Sequence, residues 1–312
     1  MERESERKII LVIRRTRLEE LIARYNTVDQ AKFYIEHMGS DFSDYLQEDT
    51  QYKKSVEIVY QELEGVGRVQ ILQRGHVPNF IFGENDIVVV IGQDGLVANT
   101  LKYLDDQLLI GVNPDPARWD GILLPFTASD IKSIVRDVLK SRRQVKEVSM
   151  AKASLNDGQV IYAVNDLFIG QRSHISSRYH IRLGDMEEYH SSSGIIVSTG
   201  LGSSGWLKSI LAGASGIWNG YMGNSNSDIY EQRMPWNADY LYFSVREPFP
   251  SKRTGTNLIF GTVSNRNPLK ILSLMPENGV IFSDGVESDF IQFNSGIEAT
   301  IQLAEKRGRL VV

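Results

Sequence analysis

The sequence predicts an α/β domain with a mostly parallel sheet over residues 1–144, followed by a β-rich domain. Three observations carry that reading. Short β-branched runs at residues 86–91 (DIVVVI) and 108–112 (LLIGV) have the unbroken hydrophobicity of strands buried on both faces. Helix-period segments alternate with such runs as far as Lys140. Beyond Val145 strand follows strand with a single helical interruption. At 312 residues the chain is long enough for two domains with separate cores.

Each element has its own signal. After the charged opening MERESERK, which is unlike a signal peptide, residues 8–13 (KIILVI) read as the first strand and run into Arg14, Arg15 and Arg17. Helical patterns cover residues 18–38 and 51–63, and residues 68–72 (RVQIL) read as a strand. The strand at 86–91 is the clearest in the chain; Gly92-Gln93-Asp94-Gly95 follow it, then a helix over 96–104. After the 108–112 strand, a loop with Pro114, Pro116 and Gly121 leads to Ser129, read as the N-cap of a helix ending near Lys140. The domain boundary falls at 141–145. Strands are expected at 146–154, 159–169, 179–183 and 194–198, with a helix at 203–212. Others follow at 240–245, 258–263, 270–274, 280–283 and 299–303, with turn signals at Asn156-Asp157-Gly158 and Asn278-Gly279. The polar stretch 220–233 reads as a mobile loop. The segment 286–312 is expected to pack back on the first domain, leaving 145–285 as the body of the second.

Composition narrows the function. A hydrophobic fraction of 42% with 23% charged residues is that of a globular chain. A net charge of -5 weighs against nucleic-acid binding, which favours a basic stripe. The absence of cysteine removes disulfides, thiolate metal sites and a cysteine nucleophile, and suits a reducing cytoplasm. No apolar run of about 18 residues predicts a membrane span. His37, His76, His174, His180 and His190 show no ligand spacing, so they read mostly as surface residues and no dedicated metal site is expected.

Three stretches could carry chemistry. Residues 198–206 (STGLGSSGW) spell G-x-G-x-x-G after an apolar run and before a helix, as in a dinucleotide fingerprint. The context fails, because antiparallel-looking strands follow instead of β-α-β. The acidic residue expected about 20 positions on would be Asp228, in the polar loop. In residues 88–104 (VVVIGQDGLVANTLKYL) a buried strand ends in two glycines flanking an aspartate. Glycines let a phosphate approach backbone N–H groups, and a helix N-terminus favours an anion. Asp94 then either faces a hydroxyl or a metal, or is simply the N-cap of the next helix. In residues 163–170 (AVNDLFIG), Asn165 and Asp166 interrupt a strand-like run. They either meet a polar ligand or make a turn through local backbone bonds.

The order of these stretches resembles the NAD kinases, in the superfamily that includes the diacylglycerol and sphingosine kinases. The mitochondrial-type subgroup is the nearest, through residues 110–121 (IGVNPDPARWDG), AVNDLFIG, Ser176-Ser177-Arg178 and residues 192–206 (SSGIIVSTGLGSSGW). The resemblance runs from about Lys8 to Gly285. It implies a Rossmann-like α/β domain, a β-rich C-terminal domain, and a site in the cleft between them. The implied reaction moves the γ-phosphoryl of ATP, with Mg²⁺, to the 2′-hydroxyl of the adenosine ribose of NAD, giving NADP. It makes Asp94 the general base, and puts Gly92, Gln93 and Gly95 in the phosphate turn. Asn113, Asn165, Asp166, Thr199, Ser204, Gly205, Trp206 and Ser209 would hold NAD. Arg14 and Arg15, beside Arg17 at the end of the first strand, would meet ATP phosphates or form a solvated basic corner. A homodimer is implied as well.

This chain departs from the family turn Gly-Gly-Asp-Gly-Thr, having Gly-Gln-Asp-Gly-Leu: Gln93 adds a side chain and Leu96 removes a hydroxyl. Ser193 replaces an aspartate that the mitochondrial type also lacks, and Thr199-Gly200-Leu201-Gly202 replaces threonine-proline-threonine-glycine. Two further readings remain: a dinucleotide-binding protein of this fold with altered catalysis, and a kinase for a sugar or lipid hydroxyl.

Overall fold

The computed structural model describes residues 4–223, 234–287 and 289–312. Asp228 and most of the expected 220–233 loop lie outside the described residues. The chain forms two compact units: Met1–Lys146 with Arg309–Val312, and Glu147–Gly308. The C-terminal segment is therefore divided, only its last four residues counting with unit 1.

Unit 1 alternates strands and helices. In order they are β1 (Lys8–Ile13), α1 (Arg17–Tyr25), α2 (Val28–His37), α3 (Ser43–Glu64), β2 (Arg68–Gln73), β3 (Ile87–Ile91), α4 (Asp94–Leu101), β4 (Leu108–Asn113), β5 (Phe126–Thr127) and α5 (Ile131–Leu139). The strands are parallel: β1 pairs with β2 and β3, β3 with β4, and β4 with β5. All five residues of β3 are buried, as its β-branched run demands. Alternate residues Ile87, Val89 and Ile91 pack with Val59 and Leu63 of α3 and with Ile134 and Val138 of α5. The helical pattern over 18–38 resolves into two helices: Asn26 takes a left-handed φ of 69°, and Thr27 caps the second. Helix α1 opens on a reciprocal Thr16–Glu19 capping box. Ser129 is not the cap of α5. Asp130 holds that position, and its carboxylate accepts the Thr127 N–H and hydroxyl instead.

Among its described residues, unit 2 is a pair of packed antiparallel sheets and one α-helix. Its elements are β6 (Val145–Leu155), β7 (Val160–Ala163), β8 (Asp166–Gln171), β9 (Ser177–Leu183), β10 (Met186–Ser192), β11 (Ile195–Ser198), α6 (Trp206–Met222), β12 (Leu241–Val245), β13 (Phe260–Val263), β14 (Leu269–Ser273), β15 (Gly279–Ser283), β16 (Phe290–Gln292) and β17 (Glu298–Val311). One sheet runs β10-β9-β14-β17, with β6 and β7 continuing from β17; the other runs β13-β12-β11-β8-β15-β16. Period-two alternation decides each face. Leu167, Ile169, Ile195, Val197 and Ile281 point into the shared core with Tyr179, Ile181, Ile271 and Ile301 of the facing sheet. Phe168, Ile196, Val280 and Phe282 point outward, where Trp206 and Ile210 of α6 cover them. The run expected as one strand over 159–169 breaks at Val164 and Asn165; β10 carries too little apolar signal, and β16, at three residues, is too short, to be read from sequence.

Candidate functional site

In unit 1 the conspicuous turn joins β3 to α4, at the carboxyl end of a parallel strand. This is where open α/β sheets bind ligands. The structure replaces the cap reading of Asp94. Gln93 is the N-cap and Asp94 the first helical residue. Its carboxylate accepts N–H groups from another loop, Leu123 at 2.8 Å and Ile122 at 3.2 Å. That loop is fixed at several further points. Asn113 Nδ2 donates to the Trp119 carbonyl at 2.9 Å, and its Oδ1 accepts the Asp115 N–H at 3.0 Å. The Ser55 hydroxyl of α3 donates to the Pro114 carbonyl. Gly111 admits the same loop, since a Cβ there would lie 2.0 Å from the Leu123 carbonyl oxygen. The Ile-Gly-Val-Asn strand thus serves to seat a backbone that Asp94 then clamps. A carboxylate offers about four acceptor positions, so Asp94, with two N–H donors, can still take a hydroxyl.

The glycines of this turn differ. A Cβ on Gly92 would come within 2.9 Å of Leu96 Cδ2, whereas Gly95 is exposed with open space around it. Leu96, which replaces the family threonine, is 4% exposed and lies over Gly92. Arg14 is neither a free cation nor a solvated corner. Its Nη2 donates to Glu48 Oε1 at 2.7 Å, and its guanidinium lies 4.9 Å from the Tyr52 ring centre. Arg17 pairs with the same Glu48 and with Asp44, which also holds Arg118. Two arginines around Glu48 outweigh the burial that would raise its carboxyl, and hold it below the usual range. Arg15 is exposed. The missing signal was Glu48, which lies 34 residues from Arg14 in sequence.

In unit 2 the Asn-Asp pair and the STGLGSSGW turn meet. Backbone and side-chain bonds join them: the Thr199 N–H donates to the Asn165 carbonyl at 2.9 Å, and the Thr199 hydroxyl donates to the Val164 carbonyl at 2.5 Å. The same hydroxyl accepts the Gly202 N–H. The glycines are required here by backbone crowding. A Cβ on Gly200 would lie 1.9 Å from the Pro235 carbonyl oxygen, and one on Gly202 2.2 Å from that of Asn165. Gly205, in contrast, has only a 3.4 Å contact. Ser204 and Ser209 donate back to the carbonyls of Leu201 and Gly205. Trp206 stacks parallel to Phe168 with ring centres 6.0 Å apart, and Arg246 lies over its ring.

Sequence reasoning missed Asp284, whose Asp-Gly after the β15 run looks like an ordinary turn. Its carboxylate accepts the N–H groups of Val164 and Asn165 at 3.0 and 2.6 Å. Asp166 is buried, with Oδ1 unpaired. Burial pushes its carboxyl up to about 7; a Ser198 hydrogen bond opposes the shift and the Asp284 charge adds to it. Asn165 projects a partly exposed amide that makes no side-chain hydrogen bond among the described residues. His190, one of five histidines read mostly as surface residues, is 2% exposed and donates from Nε2 to Glu188 at 2.8 Å.

No known protein-family profile matches the chain. NAD kinase 2 of Geobacillus kaustophilus (strain HTA426) is 27% identical over 133 residues, 41% of this chain and 49% of that protein, so the match spans about half the relative's length. The crystal structure of an NAD kinase from Archaeoglobus fulgidus in complex with ATP superposes with a TM-score of 0.56 at 16% identity, covering 98% of this chain and 93% of that one. The chain has the fold of the NAD kinases. Yeast NADH kinase complexed with NADH has the same TM-score at 12% identity, over 99% of this chain and 84% of its own. The resemblance to the NAD kinases read from motif order thus holds in a curated relative and in the fold. In this NAD kinase fold the G-x-D-G turn belongs to unit 1, and the Asn-Asp pair and glycine-serine turn to unit 2.

Proposed function

We propose that this chain is an ATP-dependent NAD kinase, transferring the ATP γ-phosphoryl group to the 2′-hydroxyl of the adenosine ribose of NAD to form NADP. The supporting observation is Asp94: a carboxylate at the carboxyl end of a parallel strand, oriented by two backbone N–H groups and retaining acceptor capacity. In this reading Asp94 accepts the proton of the attacking ribose hydroxyl. The turn Gly92-Gln93-Asp94-Gly95 faces the phosphates. In unit 2, Asn165 offers its amide and Asp166 lies behind it, while Thr199 and Ser204 shape the turn that ends at Trp206 and Ser209. Asn113 acts at a distance, by holding the loop whose N–H groups orient Asp94. Arg15 is the exposed cation available to ATP, since Arg14 is taken by Glu48.

Phosphoryl transfer asks for positioning and charge neutralisation rather than a covalent protein intermediate. Mg²⁺ would supply that neutralisation while bound to the phosphates of ATP and to several waters. Asp94, the carboxylate of the turn, is the residue that would face an ion brought by its substrate. The mitochondrial-type subgroup, a cytoplasmic location and a homodimer belong to the same reading. No helix among the described residues is long and apolar enough to cross a membrane.

The test is NADP formation from NAD, ATP and Mg²⁺. Wild-type protein should turn over, and Asp94→Asn should lose about 10²- to 10⁴-fold in rate. Wild-type protein that phosphorylates no dinucleotide overturns the reading. One observation favours a second reading, in which dinucleotide binding persists without catalysis: Leu96 occupies the space over Gly92. Calorimetric NAD binding without turnover, with turnover restored by Gln93→Gly and Leu96→Thr together, would establish it.

A further inference from the structure

The bend between β7 and β8 belongs to neither strand, yet every backbone polar group of its two residues is taken. The N–H groups of Val164 and Asn165 donate to the Asp284 carboxylate, at 3.0 and 2.6 Å. Their carbonyls accept from Thr199, whose hydroxyl meets Val164 and whose N–H meets Asn165. Backbone groups inside a fold rarely go unpaired, but here two residues from distant parts of the chain supply all four partners.

Sheet topology brings them together. Strand β8 lies between β11 and β15 and is antiparallel to both, so the carboxyl ends of β11 and β15 flank its start. Thr199 follows Ser198, which is opposite Asp166, and Asp284 follows Ser283, which is opposite Leu167. The Asp284 N–H adds a bond to the Asp166 carbonyl at 2.9 Å. The bend is thus gripped from both neighbouring strands. The partly exposed Asn165 amide is the polar group it leaves without a hydrogen bond among the described residues.

The turn at Asp284 does not itself call for a carboxylate. Asp284 and Gly285 take left-handed φ values of 55° and 70°, and the Val286 N–H donates to the Ser283 carbonyl at 3.0 Å. Glycine or asparagine suits such a turn as well as aspartate does. What needs an acceptor is the pair of N–H groups, both of which reach Asp284 Oδ1.

We propose that Asp284 is a positioning residue for the dinucleotide: with Thr199 opposite, it fixes the 164–165 backbone so that the Asn165 amide meets the ligand in one orientation. The identity of the ligand comes from the kinase reading, on which this rests; the geometry is that of unit 2 alone. Fixing the bend in advance lowers the ordering cost that binding would otherwise meet. Asp284 itself acts through Asn165, without touching the ligand.

The test is calorimetric NAD binding by the full chain, with a double-mutant cycle on Asp284 and Asn165 and thermal melts as fold controls. Asp284→Gly keeps a residue that suits the turn and removes the acceptor, and should weaken NAD binding by about 10-fold. In an Asn165→Ala background the same change should cost no more than about twofold, because the group it orients is gone. Asp284→Asn retains an Oδ1 that can accept both N–H groups, and should bind within about threefold of wild type. That variant also removes the charge beside Asp166, so it separates the acceptor from the charge. Four outcomes overturn the proposal: a wild type that binds no NAD, unchanged affinity in Asp284→Gly, equal losses in the two backgrounds, or a loss in Asp284→Asn as large as in Asp284→Gly. If Asp284→Gly does not fold, amide hydrogen exchange in the wild-type chain decides. Slow exchange at Val164 and Asn165 before NAD is added supports a bend fixed in advance, and exchange slowed only by NAD overturns it. NADP formation is assayed separately. Additive losses in a chain that turns over refute the positioning role alone, and coupling in a chain that binds NAD without turnover refutes the kinase reading alone.

Discussion

Each unit of this protein carries a glycine turn, and the two need their glycines for different reasons. In unit 1, Gly92 faces the end of a side chain, Leu96 Cδ2. In unit 2, Gly200 and Gly202 face carbonyl oxygens, those of Pro235 and Asn165. A side-chain end can rotate away; a backbone carbonyl cannot move without shifting the chain on either side of it. The G-x-G-x-x-G spelling of the second turn therefore reflects how tightly one backbone crosses another. It needs no bound phosphate to explain it. The first turn is sterically looser and bears the aspartate.

This contrast can be broken by substitution. The largest effect should come from Gly202→Ala or Gly200→Ala, each costing about 3 kcal/mol or more through overpacking against backbone, read as lost folding of unit 2 by chemical denaturation. Asp94→Ala should cost about 2 kcal/mol of unit 1 stability, the range for hydrogen bonds to a charged group, with faster hydrogen exchange at Ile122 and Leu123. Gly92→Ala should be milder, near 1–2 kcal/mol, and Leu96→Ala should relieve it. A double-mutant cycle showing simple additivity would remove the proposed contact. The smallest effect is expected for Gly95→Ala, exposed and unobstructed in the first turn of α4, within about 0.5 kcal/mol of neutral or stabilising.

Two carboxylates of unit 2 sharpen the comparison between crowded and well-supplied polar groups. Burial would raise the Glu188 carboxyl, but hydrogen bonds from His190, Leu258 and Asn257 outweigh it and hold it at about 2. Asp166 has too few donors, and burial lifts it to about 7. The signs are opposite. Glu188 adds stability at neutral pH that is lost as pH falls from about 4 towards 2. Asp166, raised in the fold, favours folding at low pH and loses that contribution as pH rises from about 4 through 7. Thermal melts against pH should show Asp166→Asn gaining on wild type as pH rises through that window. A constant difference across it would contradict the buried, protonated carboxyl.

How much was legible varies by element. Strand β3 was evident because five consecutive buried β-branched residues admit almost no other structure. Helix α6 was cut short in the sequence reading, since its glycines look like breaks, yet the helix continues through them to Met222. Strand β10 (MEEYHSS) was invisible because its pairing with β9 supplies what its composition lacks. Among candidate residues, Asp94 was singled out by its flanking glycines. Asp284 and Glu48 were not, because their significance lies in which backbone or arginine they meet across more than 30 positions of chain.

The sequence by itself determined that an α/β unit with a G-x-D-G turn precedes a β-rich unit with an Asn-Asp pair. Hydrophobic period and glycine placement are local properties, written into consecutive residues. Only the tertiary structure decided what the polar groups do. It spends Arg14 on Glu48, turns Asn113 into a brace, aims Asp94 at the 122–123 backbone, and leaves Asp166 short of partners. A charge or amide has no fixed role until folding sets what lies within about 3 Å of it, and those neighbours come from distant parts of the chain.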